Sequence, residues 1–221
     1  MALNAAEEET VEALKKWWDE NGKQLLLMVV VVAAGYSGWL FWQNSTQASS
    51  NAASDLYEQI LTLSERDEVT VSAEDGTQIL ELAEVLRAEH SDSVYALFAS
   101  LFDAQQSVRA NDLESAESSL QWILDNQQSG IFSQTEEGLI LTASLRLGRV
   151  ILARGDAERA LTLVNNINPM TFEPGFAELR GDIYLAMGRI VDAREAYVAA
   201  QQAGSSSNGL RMKLENLTNE G

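Results

Sequence analysis

A long uncharged stretch near the N-terminus is the feature that most constrains this chain. No Asp, Glu, Lys or Arg occurs between Lys23 and Asp55, and within this window Leu25 to Trp42 reads LLLMVVVVAAGYSGWLFW. As a helix, this segment spans about 27 Å at roughly 1.5 Å per residue, close to the hydrocarbon thickness of a bilayer. Because backbone groups in lipid must hydrogen-bond within the segment, we predict a transmembrane helix.

The lysines around this stretch predict its orientation. Lys15, Lys16 and Lys23 precede the span, whereas no Lys or Arg follows it until Arg66. The positive-inside rule therefore places the N-terminus in the cytoplasm and carries the larger C-terminal part across the membrane.

Residues at the two ends of the span are predicted to anchor it. Lys23 lies at the N-terminal end, and the rings of Trp39 and Trp42 suit the headgroup level at the other end. We therefore divide the chain into a cytoplasmic tail with an amphipathic segment, a transmembrane helix and an outer helical domain: residues 1–23, 24–43 and 44–221.

Two other interpretations of the apolar stretch remain open. The first is a signal peptide cleaved at Thr46-Gln47-Ala48, although acidic residues before the stretch and its length are atypical of signal peptides. The second is a buried core helix, which the length and the aromatic end of the segment disfavour.

The tail preceding the span has an amphipathic pattern. Val11, Leu14, Trp17 and Trp18 fall on one helical face, and Asn21-Gly22 is predicted to end that helix with a left-handed cap. The pattern is typical of a helix lying on the inner leaflet. An alternative is that it docks a membrane or cytosolic partner.

Composition excludes several classes of function. The chain has no cysteine and one histidine, and 33 acidic residues outnumber 15 basic ones. Disulfides and thiolate chemistry are therefore absent, and any imidazole site would rest on His90 alone, which is better explained as a helix-terminal residue. Without clustered Lys and Arg the chain is not expected to bind nucleic acid. It also lacks a glycine-rich phosphate loop, so we predict no enzyme activity, cofactor, metal or small-molecule substrate.

A spacing of small residues recurs in the C-terminal half. In each copy, a small residue at the centre of one helix is followed seven residues later by a turn residue. An alanine follows five residues after that turn residue. Two copies are offset by 33 residues. A weaker third copy lies 44 residues upstream of the first of these, and the residues beyond the 33-residue offset are expected in the polar stretch 126–135. The copies are Gly148, Gly155 and Ala160; Gly181, Gly188 and Ala193; and Ala104, Asn111 and Ala116.

This spacing has a physical explanation. Small residues let paired helices cross closely, Gly or Asn supplies positive φ at the turn, and Asp112 and Asp156 can cap the second helix. The logic is that of the tetratricopeptide repeat (TPR), whose period is near 34. Ordinary helical hairpins with coincidental spacing remain the alternative. Either way the fold class is all-α: a single N-terminal transmembrane helix followed by a TPR-like stack of helical hairpins.

Other segments complete the predicted stack. The stripe Ala48, Ala52, Leu56, Ile60 and Leu63 predicts a helix after the span. Ser72 is expected to cap the next helix, and Leu210 to Leu217 to form a terminal helix that covers the end of the stack. The alternation Val69-Thr70-Val71 is too short to predict a strand.

The first helices of the pairs are predicted to line a concave surface for protein partners. Its mixed apolar and acidic lining suits extended or partly folded chains, or the basic face of a chaperone. Arg146 and Arg149 reproduce only a fragment of the basic clamp with which some such repeats hold a carboxylate. The predicted partner-binding residues are Phe98, Leu101, Gln105, Thr142, Leu145, Arg149, Glu178 and Asp182.

Three runs of sequence resemble one known family. They are VEALKKWWDENGK at 11–23 followed by the span ending in GWLFW; LRLGRV at 145–150 with ELRG at 178–181; and MKLENL at 212–217. They are similar, essentially end to end, to the YfgM family of ancillary SecYEG translocon subunits. The resemblance implies an inner-membrane protein with a periplasmic TPR-like domain, which accompanies the translocon and the membrane-anchored chaperone PpiD beside emerging periplasmic proteins. It also implies no catalytic residues.

Two other functions remain open at this point. The chain could be a membrane-tethered regulator of envelope-stress signalling that acts through its cytoplasmic tail. It could instead be a structural scaffold of an envelope assembly, in which the repeats only organise other proteins.

Overall fold

The computed structural model describes residues 2–65, 72–127 and 137–219, and the chain divides into two units, Met1–Asn51 and Ala52–Gly221. The described part consists of helices joined by turns and short loops, which confirms the all-α fold class. The alternation at 69–71 and most of the polar stretch 126–135 lie outside the described residues.

The first unit consists of the N-terminal part of helix α1 (Ala2–Glu65). Among the described residues, one helical segment is long and apolar enough to cross a membrane, and its most apolar window is not buried by any other part of the protein. Val30 and Phe41, for example, are 57% and 78% exposed. A run of exposed apolar side chains this long is suited to a hydrocarbon environment.

The prediction that Asn21-Gly22 ends the tail helix is wrong, because α1 continues through both residues. The Asn21 side-chain amide donates to the Trp17 carbonyl at 3.1 Å, and the Trp18 indole covers Gly22, where a Cβ would lie 3.2 Å from the ring. Glycine permits a left-handed cap but does not require one. Here it gives a tryptophan room to lie against the helix backbone.

The second unit is a series of antiparallel helix pairs in which each helix packs against the next along the chain. The first helices α3, α5 and α7 also contact one another in sequence. The elements are α2 (Ala73–Glu89), α3 (Val94–Arg109), α4 (Leu113–Asp125), α5 (Glu137–Ala153), α6 (Ala157–Asn165), a 3₁₀ turn (Met170–Phe172), α7 (Glu173–Ala186), α8 (Ile190–Gln202) and α9 (Asn208–Asn219).

The three predicted turn residues adopt positive φ. The values are 60° at Asn111, 89° at Gly155 and 75° at Gly188. The predicted caps also form: Asp112 accepts from the Ser115 amide at 3.0 Å, and Asp156 from the Arg159 amide at 3.1 Å. Each cap satisfies an amide that the first turn of a helix leaves unpaired. The repeat spacing therefore encodes both the turn and the start of the next helix.

The small residues at helix centres mark the close crossings. A Cβ at Gly148 would lie 2.8 Å from Leu179 Cδ2, and a Cβ at Gly181 would overlap the Tyr197 ring. The paired alanines Ala116, Ala160 and Ala193 are fully buried. At each glycine the missing side chain leaves room for a side chain of the facing helix, and a large residue at any of these positions would force the helices apart.

In the part of the chain that the structure describes, the buried side chains form three core clusters. The end of α1 packs on α2 and α3 through Ile60 and Leu63, as the stripe predicted, although Ala53 takes the buried position expected for Ala52. A larger cluster fills α3 to α7, and the partly buried Trp122 contacts both clusters. The third joins α7, α8 and α9.

The terminal helix covers the end of the stack as predicted. Leu210 and Leu217 of α9 are each 2% exposed and pack in the third cluster. Arg194 of α8 donates to the carbonyl of Leu217, which ties the end of α9 to the preceding helix. A stack of repeats needs such a cap because its last pair would otherwise expose an apolar face.

We predict that Gly181→Ala destabilises the second unit by about 1–3 kcal/mol, because the added methyl group overlaps the Tyr197 ring. Gly138→Ala is the matched control: nothing lies within 4 Å of a Cβ there, and alanine favours helix. Urea unfolding of the full chain in detergent, followed by circular dichroism, measures both. Equal midpoints for the two variants would contradict the close crossing.

Candidate functional site

The eight predicted partner-binding residues lie on the three first helices, which the structure places side by side. We call the surface formed by α3, α5 and α7 the first-helix surface. Helix α3 carries Phe98, Leu101 and Gln105; α5 carries Thr142, Leu145 and Arg149; and α7 carries Glu178 and Asp182.

Four of these side chains pack within the protein and support the surface. The Phe98 ring lies 6.1 Å from the ring of Tyr57 on α1, and Leu101 packs against the main core cluster. The Thr142 hydroxyl donates to the Gly138 carbonyl at 2.7 Å. Leu145 lies against α7, where a Cβ at Gly175 would be 2.9 Å from it. All four are only partly accessible to a partner.

The two predicted acidic residues already have an intramolecular cation. Lys213 on α9 donates to Glu178 at 2.9 Å and lies 2.7 Å from Asp182, whose carboxylate also accepts from the Tyr197 hydroxyl at 2.7 Å. Partner binding by Glu178 and Asp182 stays a prediction, and it would require competition with Lys213. Sequence reasoning missed this cation, although Lys213 is the only lysine after Lys23.

This cluster shifts the pKa values of two of its members upward. Burial raises the pKa of the Tyr197 phenol, and its hydrogen bond to the Asp182 carboxylate raises that pKa further. Burial alone would lower the pKa of Lys213, but the hydrogen bonds and negative charges of Asp182 and Glu178 raise it overall. Both groups are therefore held in their protonated forms by the folded protein.

The other two predicted residues, Gln105 and Arg149, border a pocket of about 400 Å³. It lies between the C-terminal halves of α3 and α5, with side chains of α4 also lining it. Arg109 and Arg146 line the same pocket. Arg109 was missed because nothing in the sequence shows that the ends of α3 and α5 lie together.

Ion pairs elsewhere join neighbouring parts of the stack. Arg87 of α2 pairs with Asp103 of α3 at 2.6 Å and donates to Ser119 of α4 at 3.0 Å. Glu117 of α4 pairs with both Arg154 and Arg159. Because Arg87 contacts both α3 and α4, and Glu117 contacts the residue after α5 as well as α6, these groups help to hold neighbouring pairs in place.

The predicted anchors lie on α1 with exposed side chains. Trp39 and Trp42 are 53% and 66% exposed, Lys23 is exposed, and the centroids of the tilted Tyr36 and Trp39 rings lie 6.0 Å apart. The Thr46 hydroxyl donates to the Trp42 carbonyl at 2.9 Å, which satisfies a polar group just beyond the apolar run. Their role as anchors stays a prediction.

The described residues contain no group of three or more His, Asp or Glu side chains arranged to hold a metal ion. His90 is the C-cap residue of α2, and its amide donates to the Leu86 carbonyl at 3.0 Å. This position agrees with the helix-terminal explanation given by the sequence.

Comparisons with known proteins agree with this architecture. The family of tetratricopeptide repeat-like domains matches residues 15–219. Proteins named ancillary SecYEG translocon subunit are 31% identical in Haemophilus influenzae and 30% in Escherichia coli, over 98% and 99% of this chain and the whole of each relative. A Neisseria gonorrhoeae protein of the same name is 27% identical over 98% of this chain and its own whole length. No solved structure matches significantly.

The stacked helix pairs, their positive-φ turns and the long apolar helix define a tetratricopeptide repeat-like protein whose N-terminus suits a single-pass position in the inner membrane. The near-complete alignments then identify its family. The chain belongs to the YfgM family, the ancillary SecYEG translocon subunits.

We predict that the folded protein loses stability as pH rises above about 10. The folded state raises the pKa values of Tyr197 and Lys213 above their ordinary values of 10.0 and 10.5, so their stabilising contributions are complete below those values and decline above them. Urea unfolding between pH 8 and 11 measures the decline. In Tyr197→Phe the decline should be shallower, and an identical slope would contradict the assignment.

Proposed function

We propose that the chain is a non-enzymatic, membrane-anchored adaptor that associates with the SecYEG translocon. The observation that carries the proposal is the near-complete match to relatives that share the name of translocon subunit. The repeat-like stack supports an adaptor role, because stacked helix pairs offer extended surfaces for protein partners. The described residues contain no arrangement of groups that points to catalysis.

The orientation that we propose places residues 1–23 in the cytoplasm, 24–43 in the membrane and 44–221 in the periplasm. The lysine bias before the span supports this direction. Lys23 would then hold the inner boundary, and Trp39 and Trp42 the outer one. This arrangement would put the helical stack where exported chains emerge.

The finer proposal is that the stack works beside a PpiD-like periplasmic chaperone and assists proteins emerging into the periplasm. The partly accessible apolar side chains of the first-helix surface and the pocket beside them support contact with extended chains. The lipid bilayer is the remaining partner, through α1.

A second candidate function is regulation of envelope-stress signalling through the tail. One observation favours it: Leu14, Trp17 and Trp18 are 67%, 48% and 53% exposed on α1. These side chains are available either to a lipid headgroup region or to a partner protein.

Single engineered cysteines test the orientation, and the cysteine-free chain makes the label unambiguous. We expect a membrane-impermeant maleimide, added to cells with a permeable outer membrane, to label Ser206→Cys. Glu12→Cys should react only after the inner membrane is opened. Both side chains are exposed, so accessibility in the folded protein does not limit labelling. The reverse pattern would overturn the proposed topology.

Affinity purification from detergent-solubilised membranes, with mass spectrometry, tests the translocon association. We expect SecY, SecE and SecG to be enriched over an unrelated single-pass protein. Removal of residues 2–10 should leave this enrichment unchanged. A signalling defect in that truncation with intact co-purification would instead support the regulatory candidate, and no enrichment of the intact chain would contradict the adaptor role.

Photo-crosslinking tests where partners bind. A crosslinking amino acid at Gln105, on the first-helix surface, should capture exported chains or the chaperone. The same group at Glu195, exposed on α8, serves as the control and should not. Equal capture at both positions would contradict use of the first-helix surface.

A further inference from the structure

Most of the described basic side chains of the second unit are paired with carboxylates. Acidic residues outnumber basic ones by 33 to 15, so a cation without a carboxylate partner is unexpected in this chain. Among the described residues after position 71, carboxylates pair with Arg87, Arg154, Arg159, Arg180, Arg189, Arg211 and Lys213.

Four further arginines in this part of the chain form no ion pair with a described carboxylate. Arg194 donates to the Leu217 carbonyl instead. Arg109 has one long hydrogen bond, at 3.5 Å, to the amide oxygen of Gln106. Arg146 and Arg149 have no such contact with a described side chain. Arg109, Arg146 and Arg149 all line the 400 Å³ pocket between α3 and α5.

The rest of the pocket lining is apolar apart from Gln105. Val108 of α3, Leu113 and Leu120 of α4 and Val150 of α5 form most of it, and no carboxylate occurs among the described lining residues. The volume lies near the lower end of the roughly 300–1,000 Å³ typical of ligand sites. It therefore suits one or two large side chains rather than a whole secondary-structure element.

Arg146 keeps much of its side chain exposed but is partly desolvated, and it lies near the like charge of Arg149. Desolvation lowers the pKa of Arg146, and the neighbouring charge of Arg149 lowers it further. An anion placed between these residues would relieve the repulsion and replace lost hydration. Two arginines three residues apart on one helix are held close together, so a ligand meets both at once.

We propose that this pocket binds an acidic segment of a partner protein, which inserts one large apolar side chain against Leu113 and Leu120 while its carboxylates pair with Arg109, Arg146 and Arg149. Gln105 and Arg149 of the first-helix surface border the pocket, and Val108 in its lining is 45% exposed, so an extended chain can reach it. This site would give the proposed adaptor function a specific partner contact, and it rests on that function only because the bound segment is taken to be part of a protein. The carboxylates supply orientation, and the apolar side chain supplies most of the buried area.

Peptide binding to the full chain in phosphatidylcholine nanodiscs tests the proposal. The probe is a fluorescein-labelled peptide, Glu-Asp-Phe-Asp-Glu, whose binding is followed by anisotropy. We expect saturable binding that weakens with added salt, at least tenfold weaker binding of Glu-Asp-Ser-Asp-Glu, and no binding of Lys-Lys-Phe-Lys-Lys. If the serine peptide bound as tightly as the phenylalanine peptide, the proposed apolar contact would be wrong. A Kd weaker than about 1 mM for the phenylalanine peptide would overturn the whole proposal.

Two double variants with the same change in net charge supply the matched control. The variant Arg146→Gln with Arg149→Gln should bind the phenylalanine peptide at least tenfold more weakly. The variant Arg189→Gln with Arg211→Gln, whose changes lie outside the pocket, should alter the affinity less than twofold. Val108→Asp, which adds a carboxylate to an exposed part of the lining, should weaken it as well. Equal effects of the two double variants on peptide affinity would overturn the proposal. Saturable binding of laurate to the chain without binding of the peptide would also overturn it and would indicate that the pocket binds a lipid anion.

The peptide assay contains no translocon, so its outcome is independent of the association with SecYEG. Loss of peptide binding in Arg146→Gln with Arg149→Gln, together with retained co-purification of SecY, would support the pocket as a site separate from the translocon contact. If the wild-type chain did not enrich SecY, the adaptor function would be contradicted. The peptide assay would still show by itself whether the pocket binds acidic segments.

Discussion

The close crossing of helices at positions without a large side chain is the constraint on which the helical stack depends. At Gly181 the Tyr197 ring occupies the space of a side chain, and at Gly148 the methyl group of Leu179 does so. The Tyr197 side chain that fills the space at Gly181 also donates its hydroxyl to Asp182, and Lys213 of α9 donates to the same carboxylate. Packing and the electrostatic cluster are therefore parts of one arrangement.

The features that the sequence predicted well are local. Positive φ at Asn111 and Gly155, capping by Asp112 and Asp156, and the burial of the small helix-centre residues each follow from a few neighbouring positions. The apolar span is equally local, because eighteen successive residues define it. Fold class and the starts of α2, α4 and α6 were therefore predictable from residues close together in the chain.

The features that the sequence did not predict depend on residues far apart in the chain. Lys213 lies 35 residues from Glu178, and Arg109 is separated from Arg146 by the whole of α4 and the connection that follows it, so neither arrangement is visible before the helices are packed. Gly22 shows the opposite limit: the local rule for helix ends fails there, because α1 continues through Gly22 with the Trp18 indole lying against it. The first-helix residues were placed on the right helices, but their side-chain contacts were not predictable.

The distribution of lysine has a practical consequence for mapping the partners of this protein. Lysines occur at positions 15, 16 and 23, and the second unit contributes only Lys213, whose ammonium is held by two carboxylates. Amine-reactive crosslinkers will therefore report mainly on neighbours of the N-terminal tail. Interaction maps made with those reagents will contain few crosslinks from the helical stack, whereas carboxyl-directed reagents will find many reactive groups on it.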